Sequence, residues 1–224
     1  MRRFLDRAAA GRQLAASLVG AVPTDAGVVL GLPRGGVPVA AEVAKTLGLP
    51  LDVWCVRKLG VPFHPELAMG AIASGGAVVR NDDVLATLAS PEAAFDRVLK
   101  DERAELERRE RSFRRGSAAL HVRGRGVILV DDGLATGATM AAAVRALRSL
   151  APATIVAAVP VGSREAVERI EELADRVVCL HAPMFFGSVG SFYETFEQTG
   201  DDEVREILTA ARRRLTGDSG QDHA

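Results

Sequence analysis

Four consecutive branched apolar residues, Val127-Ile128-Leu129-Val130, run directly into two adjacent acids, Asp131 and Asp132. A short unbroken apolar run of this kind reads as a strand buried on both faces, as in a parallel sheet covered by helices on each side. Gly133-Leu134-Ala135-Thr136-Gly137-Ala138-Thr139 follows, and then a stretch from Met140 to Leu150 with helical apolar periodicity. Small residues in the turn let a ligand approach the backbone, and the free N–H groups of a helix start favour an anion. The hydroxyls of Thr136 and Thr139 add donors, and the two acids can accept hydrogen bonds from a neighbouring diol. A phosphate in the turn beside a diol describes a phosphorylated sugar. An ordinary buried strand with a polar turn accounts for fewer of these residues.

The remainder of the chain repeats the same alternation. A helix is expected from residue 4 to about 21, ending near Pro23. A buried strand over 27–32 runs into Pro33-Arg34-Gly35-Gly36, and a helix follows to Gly48. A second strand is expected at 51–56, a fourth at 154–161 and a last at 175–180, with a helix from Ser163 between the latter two. Strand alternating with helix predicts right-handed parallel units. Between 57 and 116 stand a hairpin-like pair turned by Ser74-Gly75-Gly76, a short helix capped by Asn81, and a long helix from Pro91 to about Arg115 with Ser90 as its cap. A closing helix from 201 to 215 and a polar tail from 216 to 224 complete the chain.

The strand–turn–helix segment resembles the phosphoribosyl-diphosphate (PRPP) signature of the type I phosphoribosyltransferases, with Asp131, Asp132 and Thr136-Gly137-Ala138-Thr139 matching the pattern in full. The resemblance implies that Asp131 and Asp132 hold the ribose hydroxyls and that Ala135, Thr136, Gly137, Ala138 and Thr139 hold the 5-phosphate. It places the family's diphosphate loop at Arg34, Gly35 and Gly36, where a cis peptide is often found. That loop lacks the G-x-G-x-x-G spacing of a dinucleotide site and the Gly-Lys of a P-loop. A tight turn would explain its glycines without explaining Arg34. Arg57 and Lys58, read at the end of the second strand, either face the diphosphate or form a solvated basic pair. The arrangement as a whole looks like the stand-alone bacterial phosphoribosyltransferases.

These readings give an α/β fold in three layers around a mostly parallel five-stranded sheet of order 2-1-3-4-5. It carries a flexible hairpin, a long inserted helix and a C-terminal hood and helix. One domain is expected over 1–215, with its core at about 27–181, insertions at about 58–116 and the hood at about 181–215. In that strand order the loops after the first and third strands emerge together at the switch point. The hood holds Phe185, Phe186, Phe192, Tyr193 and Phe196, half of the ten aromatics in the chain. Phe185, Phe186, Phe192 and Tyr193 either receive a planar base or simply cap the core.

The implied reaction is transfer of the phosphoribosyl group from PRPP to a nitrogenous acceptor, with release of diphosphate. Mg²⁺ would be held mainly by PRPP, with Asp131 and Asp132 as the protein's contribution and no dedicated metal cage. Arg34, Asp131 and Asp132 are the candidate catalytic residues, and either acid is a candidate base. A non-catalytic PRPP- or nucleotide-binding regulator of the same fold is the alternative.

Composition narrows the rest. A net charge of −1 gives no basic field for nucleic acid, and the Arg cluster at 108–115 is interleaved with Glu. The apolar stripe of the long helix (Phe95, Val98, Leu99, Leu106, Phe113) is expected to make a homodimer contact. Cys55 and Cys179 fit no metal spacing and read as buried thiols of a reducing compartment. The N-terminus lacks the apolar core of a targeting peptide, and no run approaches the ~20 apolar residues of a membrane span. A cytoplasmic location is therefore expected.

Overall fold

The computed structural model of the 224-residue chain describes residues 3–20 and 27–216. Pro23 and the expected tail from 217 onward lie outside them. Five parallel strands form the central sheet in the order β2-β1-β6-β7-β8: β1 (Gly27–Gly31), β2 (Leu51–Val53), β6 (Gly126–Val130), β7 (Thr154–Val161) and β8 (Arg176–His181). β1 and β6 are neighbours in register from Gly27↔Gly126 to Gly31↔Val130, so their C-terminal ends finish level with one another. The expected switch point lies there.

β1 and β6 are buried along their whole length. Side-chain alternation sends Ile128 and Val130 to one face and Val127 and Leu129 to the other. On the first face they meet α1 (Arg7–Leu18), α2 (Gly36–Leu47) and α7 (Asp201–Thr216) through Leu14, Val39, Val43 and Leu208. On the second they meet α5 (Ala138–Ser149) and α6 (Arg164–Glu171) through Met140, Val144, Leu147 and Ile170. The three layers follow directly from that alternation.

Two sequence expectations need correction. The first helix begins at Arg7, with the Asp6 side chain accepting from the Ala9 N–H at 2.6 Å, while Phe4 is extended and bridges to Tyr193. Phe4 N–H donates to the Phe192 carbonyl at 2.9 Å, and Glu194 N–H donates to the Phe4 carbonyl at 2.8 Å. The apolar Phe4 and Leu5 therefore belong to a bridge with the C-terminal segment rather than to a helical face. The second core strand stops at Val53 rather than 56. Cys55 N–H donates to the Ser74 hydroxyl and Ser74 N–H to the Cys55 carbonyl, both at 2.9 Å, and these bonds turn the chain into a separate antiparallel sheet. That sheet contains β3 (Val56–Val61), β4 (His64–Ala73) and β5 (Val78–Arg80) in the order β3-β4-β5. Arg57 and Lys58 thus lie inside β3, not at the end of a core strand.

After the short α3 (Asp82–Leu85), α4 (Pro91–Arg114) carries the apolar stripe read as a dimer contact. The stripe is used within the chain: Phe95, Leu106 and Phe113 are buried in the same core cluster as Leu59, Met69 and Val204, and Val98 and Leu99 pack against it. Arg108, Arg109, Arg111 and Arg114 of α4 also have acidic partners. Arg114 Nε donates to both Asp52 carboxylate oxygens at 3.0 and 3.1 Å, and its Nη1 donates to Glu110 at 2.9 Å. This buried bridge fastens α4 to β2. Burial raises the Cys55 thiol to about 12 and the Cys179 thiol to about 11, so both are protonated, unreactive free thiols. Among the described residues no helix is long and apolar enough to cross a membrane.

Candidate active site

Two loops leave the level ends of β1 and β6 and pack on each other. Leu32 N–H donates to the Val130 carbonyl at 2.9 Å, extending the strand pairing into the first loop. The Pro33–Arg34 peptide is cis, as the family resemblance anticipates. Gly35 and Gly36 follow, and each is required by space. A Cβ on Gly36 would stand 2.7 Å from the Val130 carbonyl oxygen and 2.8 Å from Asp131 Cα. A Cβ on Gly35 would stand 2.8 Å from Asp132 Cγ and nearer still to its Oδ2. The structure therefore brings Gly35 and Gly36 against Asp131 and Asp132, across a sequence separation of about a hundred residues.

The second loop opens into α5. Gly137 caps that helix with φ of 73°, a left-handed conformation that favours glycine, and Ala135, Thr136, Ala138 and Thr139 are exposed around it. The opening N–H groups of α5 point toward an anion placed there. The loop is braced from behind. Ser163 donates its hydroxyl to the Ala135 carbonyl at 2.8 Å while accepting from the Ala166 N–H at 3.1 Å, and Arg169 donates to the Thr136 carbonyl at 3.2 Å.

The two acids differ in their surroundings. Burial pushes the Asp131 carboxyl well above the usual carboxylate range, and the charge of Asp132 pushes it further. Burial also raises Asp132, but Arg7 opposes the shift. Arg7 Nε donates to Asp132 Oδ2 at 2.9 Å, and its Nη2 lies 2.8 Å from the same oxygen. Its Nη1 donates to the Glu197 carbonyl at 2.6 Å, and the guanidinium lies 3.9 Å above the Phe196 ring. Arg7 stands 125 residues from Asp132, and nothing in its sequence surroundings marks it as a site residue.

The remaining candidates occupy varied positions. Arg34 reaches Asp201 at the start of α7, with Nη1 3.5 Å from Oδ1. Arg57 donates to Glu102 at 2.6 Å and Lys58 to Glu66 at 3.5 Å, and both basic residues line a separate cleft with Phe63 at the hairpin tip. Phe185 and Phe186 line a cleft of about 780 Å³ together with Ala135, Thr136 and Arg169. Phe186 stacks on Phe192, with ring centroids 5.4 Å apart. Tyr193 is only 2% exposed, packed between Phe4 and Phe196, and its hydroxyl donates to the Asp132 carbonyl at 2.6 Å. Its ring faces the core, while its hydroxyl serves the site.

Loop 33–36, the turn of 135–139 and the two acids Asp131 and Asp132 thus meet at the switch point of a parallel sheet. Residues 3–194 match the family described as phosphoribosyl transferase domain, and the chain belongs to that family. It is 51% identical over 213 residues to chains from two Mycobacterium tuberculosis strains, each provisionally named a phosphoribosyl transferase. The match covers 95% of this chain and 48% of those relatives, so the chain spans about half their length. A crystal structure of TT1426 from Thermus thermophilus is 44% identical, with a TM-score of 0.84 over 94% of this chain and 99% of that one.

Proposed function

We propose that the protein transfers the phosphoribosyl group of PRPP to a nitrogenous acceptor, releasing diphosphate. The observation that carries this reading is the packing of Gly35 and Gly36 against Asp131 and Asp132. It sets a loop suited to diphosphate beside acids suited to a ribose diol, with the phosphate-sized turn of 135–139 next to them. A ligand that satisfies all three is a ribose 5-phosphate bearing a diphosphate.

In this reading the N–H groups of loop 33–36 and the Arg34 guanidinium stabilise charge growing on the departing diphosphate. The turn of 135–139 and the start of α5 hold the 5-phosphate, and Asp131 and Asp132 accept from the ribose hydroxyls. Fixing both ends of the donor holds its anomeric carbon in place for attack. Asp131, whose carboxyl binds a proton more readily than an ordinary acid, is the member of the pair suited to receive the acceptor's proton. The cleft lined by Phe185 and Phe186 beside Thr136 is the assigned place for the acceptor, because its aromatic walls suit a planar ring.

The residues present fit Mg²⁺. Asp131 and Asp132 supply adjacent, desolvated carboxylates whose negative charge Arg7 offsets in part. Among the described residues no cluster of three or more acidic, His or Cys ligands adds to them. Mg²⁺ commonly takes its remaining oxygens from substrate and water. When bound, the ion would neutralise diphosphate charge. Catalysis of this kind belongs in the cytoplasm, where phosphorylated metabolites are retained.

The test is diphosphate release from PRPP and Mg²⁺ across a panel of nucleobases and simple amines, alongside PRPP binding by calorimetry. Release with at least one acceptor, and loss of PRPP binding in the Asp131→Ala/Asp132→Ala double variant, is expected. Unchanged PRPP affinity in that variant would remove the basis of the proposal.

A further inference from the structure

We propose that Arg7 is a positioning residue for the ribose-binding acid, holding the Asp132 side chain while Tyr193 holds its main chain. The inference rests on the PRPP-site reading above and adds to it a part of the chain that the loop motifs do not contain.

Arg7 occupies a costly position. It opens α1 directly after the Asp6 cap, and no acidic residue follows in the first turn, so its charge sits at the positive end of the helix dipole with Asp6 as the one adjacent acid. The guanidinium is also largely withdrawn from water, with 12% of the side chain exposed, and sits on the Phe196 ring. A buried ion pair is a weak source of stability, and an apolar side chain of similar length would fill the same space at less electrostatic cost. Stability alone therefore does not account for an arginine here.

Its contacts do account for it. Two of its nitrogens meet one oxygen, Oδ2 of Asp132, at 2.8 and 2.9 Å. Gly35 packs against the same oxygen and the same guanidinium: a Cβ there would crowd Oδ2 and stand 3.2 Å from Arg7 Nη2. Oδ2 is thus held by the guanidinium and crowded by loop 33–36, and the carboxylate can turn only by giving up its two bonds to Arg7. The Tyr193 hydroxyl fixes the Asp132 carbonyl at 2.6 Å. Arg7 in turn grips the Glu197 carbonyl at 2.6 Å, and Phe4 pairs with the strand-like run that holds Tyr193. The N-terminal and C-terminal segments therefore close on a single residue, Asp132, and present it to the ribose.

The consequence is selective by ligand. Ribose 5-phosphate uses the diol-binding acids, whereas inorganic diphosphate uses loop 33–36. Calorimetry of both probes with Mg²⁺, on the full chain and on Arg7→Gln, Arg7→Lys and Tyr193→Phe, separates positioning from folding. Arg7→Gln is expected to weaken ribose 5-phosphate by about tenfold or more, the effect of losing one charge-assisted contact, and to leave diphosphate within about twofold. Arg7→Lys is expected to recover part of the loss, since it restores the charge without the fork. Tyr193→Phe, which keeps the ring, is expected to weaken the same ligand alone. Equal loss of both ligands would assign Arg7 to the fold, and ribose 5-phosphate affinity unchanged in Arg7→Gln and Tyr193→Phe would overturn the proposal. Failure of the wild-type chain to bind PRPP or ribose 5-phosphate would instead overturn the site reading itself, and this inference with it.

Discussion

Gly35 lies against the carboxylate of Asp132 with less room than one methyl group requires. The loop proposed to take diphosphate and the acid proposed to take ribose therefore pack directly on each other. Gly35→Ala must displace Asp132, which Arg7 holds, so overpacking of about 1–3 kcal/mol is expected. PRPP affinity should fall by more than about tenfold while the circular dichroism spectrum stays native. Binding as tight as wild type would mean that the carboxylate is free to move aside.

Arg34 is engaged by Asp201 at 3.5 Å, and both side chains are partly open to water. The pair competes with any anion for the loop's one guanidinium. Asp201→Asn keeps the shape of the α7 start while releasing Arg34. A two- to threefold tightening for inorganic diphosphate, roughly the worth of an exposed ion pair, is the expected result by calorimetry. The contrasting variant, Arg34→Gln, should weaken the same ligand by about tenfold.

Asp131 bears a desolvated charge beside Asp132. Asp131→Asn removes that charge, so above the raised pKa it should lift the thermal midpoint by a few degrees, about 2–4 °C for each kcal/mol relieved in a chain of this size. PRPP binding should fall in the same protein. The sign reverses the usual acid trend: a carboxyl whose folded pKa is raised destabilises the native state as pH climbs through that pKa. The wild-type midpoint should therefore converge on that of the variant as pH is lowered through that raised pKa. A variant less stable than wild type above that pKa would contradict the charge argument.

Asp175 behaves oppositely. It accepts two bonds from Arg148 at 2.7 and 2.8 Å and one from the Ile155 N–H at 2.6 Å, and these hold its carboxyl below the usual range. Its contribution is present above the unfolded value near 4 and is lost as pH falls through the lower folded pKa. Asp175→Ala should cost about 1 kcal/mol at pH 7, and the gap should close in urea unfolding as pH falls through that lowered pKa.

The site divides by how its parts were legible. Asp131, Asp132 and the Thr136–Thr139 turn were readable because strand, turn and helix are local events, each fixed by residues within a dozen positions. The loop at Arg34 was readable for the same reason, and the strand order then placed both loops at one switch point. The end of β2 was misjudged because Trp54-Cys55-Val56 continues an apolar run. Only the bonds between Cys55 and Ser74 turn it away. The apolar stripe of α4 was visible, but the surface that covers it, β3, β4 and α7 of the same chain, was not.

The sequence alone determined the strands and helices around the central sheet to within a few residues, and the motif residues of its two loops, because apolar periodicity and turn chemistry act over short distances. Tertiary structure alone decided that Gly35 touches Asp132, that Tyr193 faces inward, and that Arg7 reaches an acid 125 residues away. Those contacts depend on how far apart elements pack, and no short-range pattern along the chain records that distance.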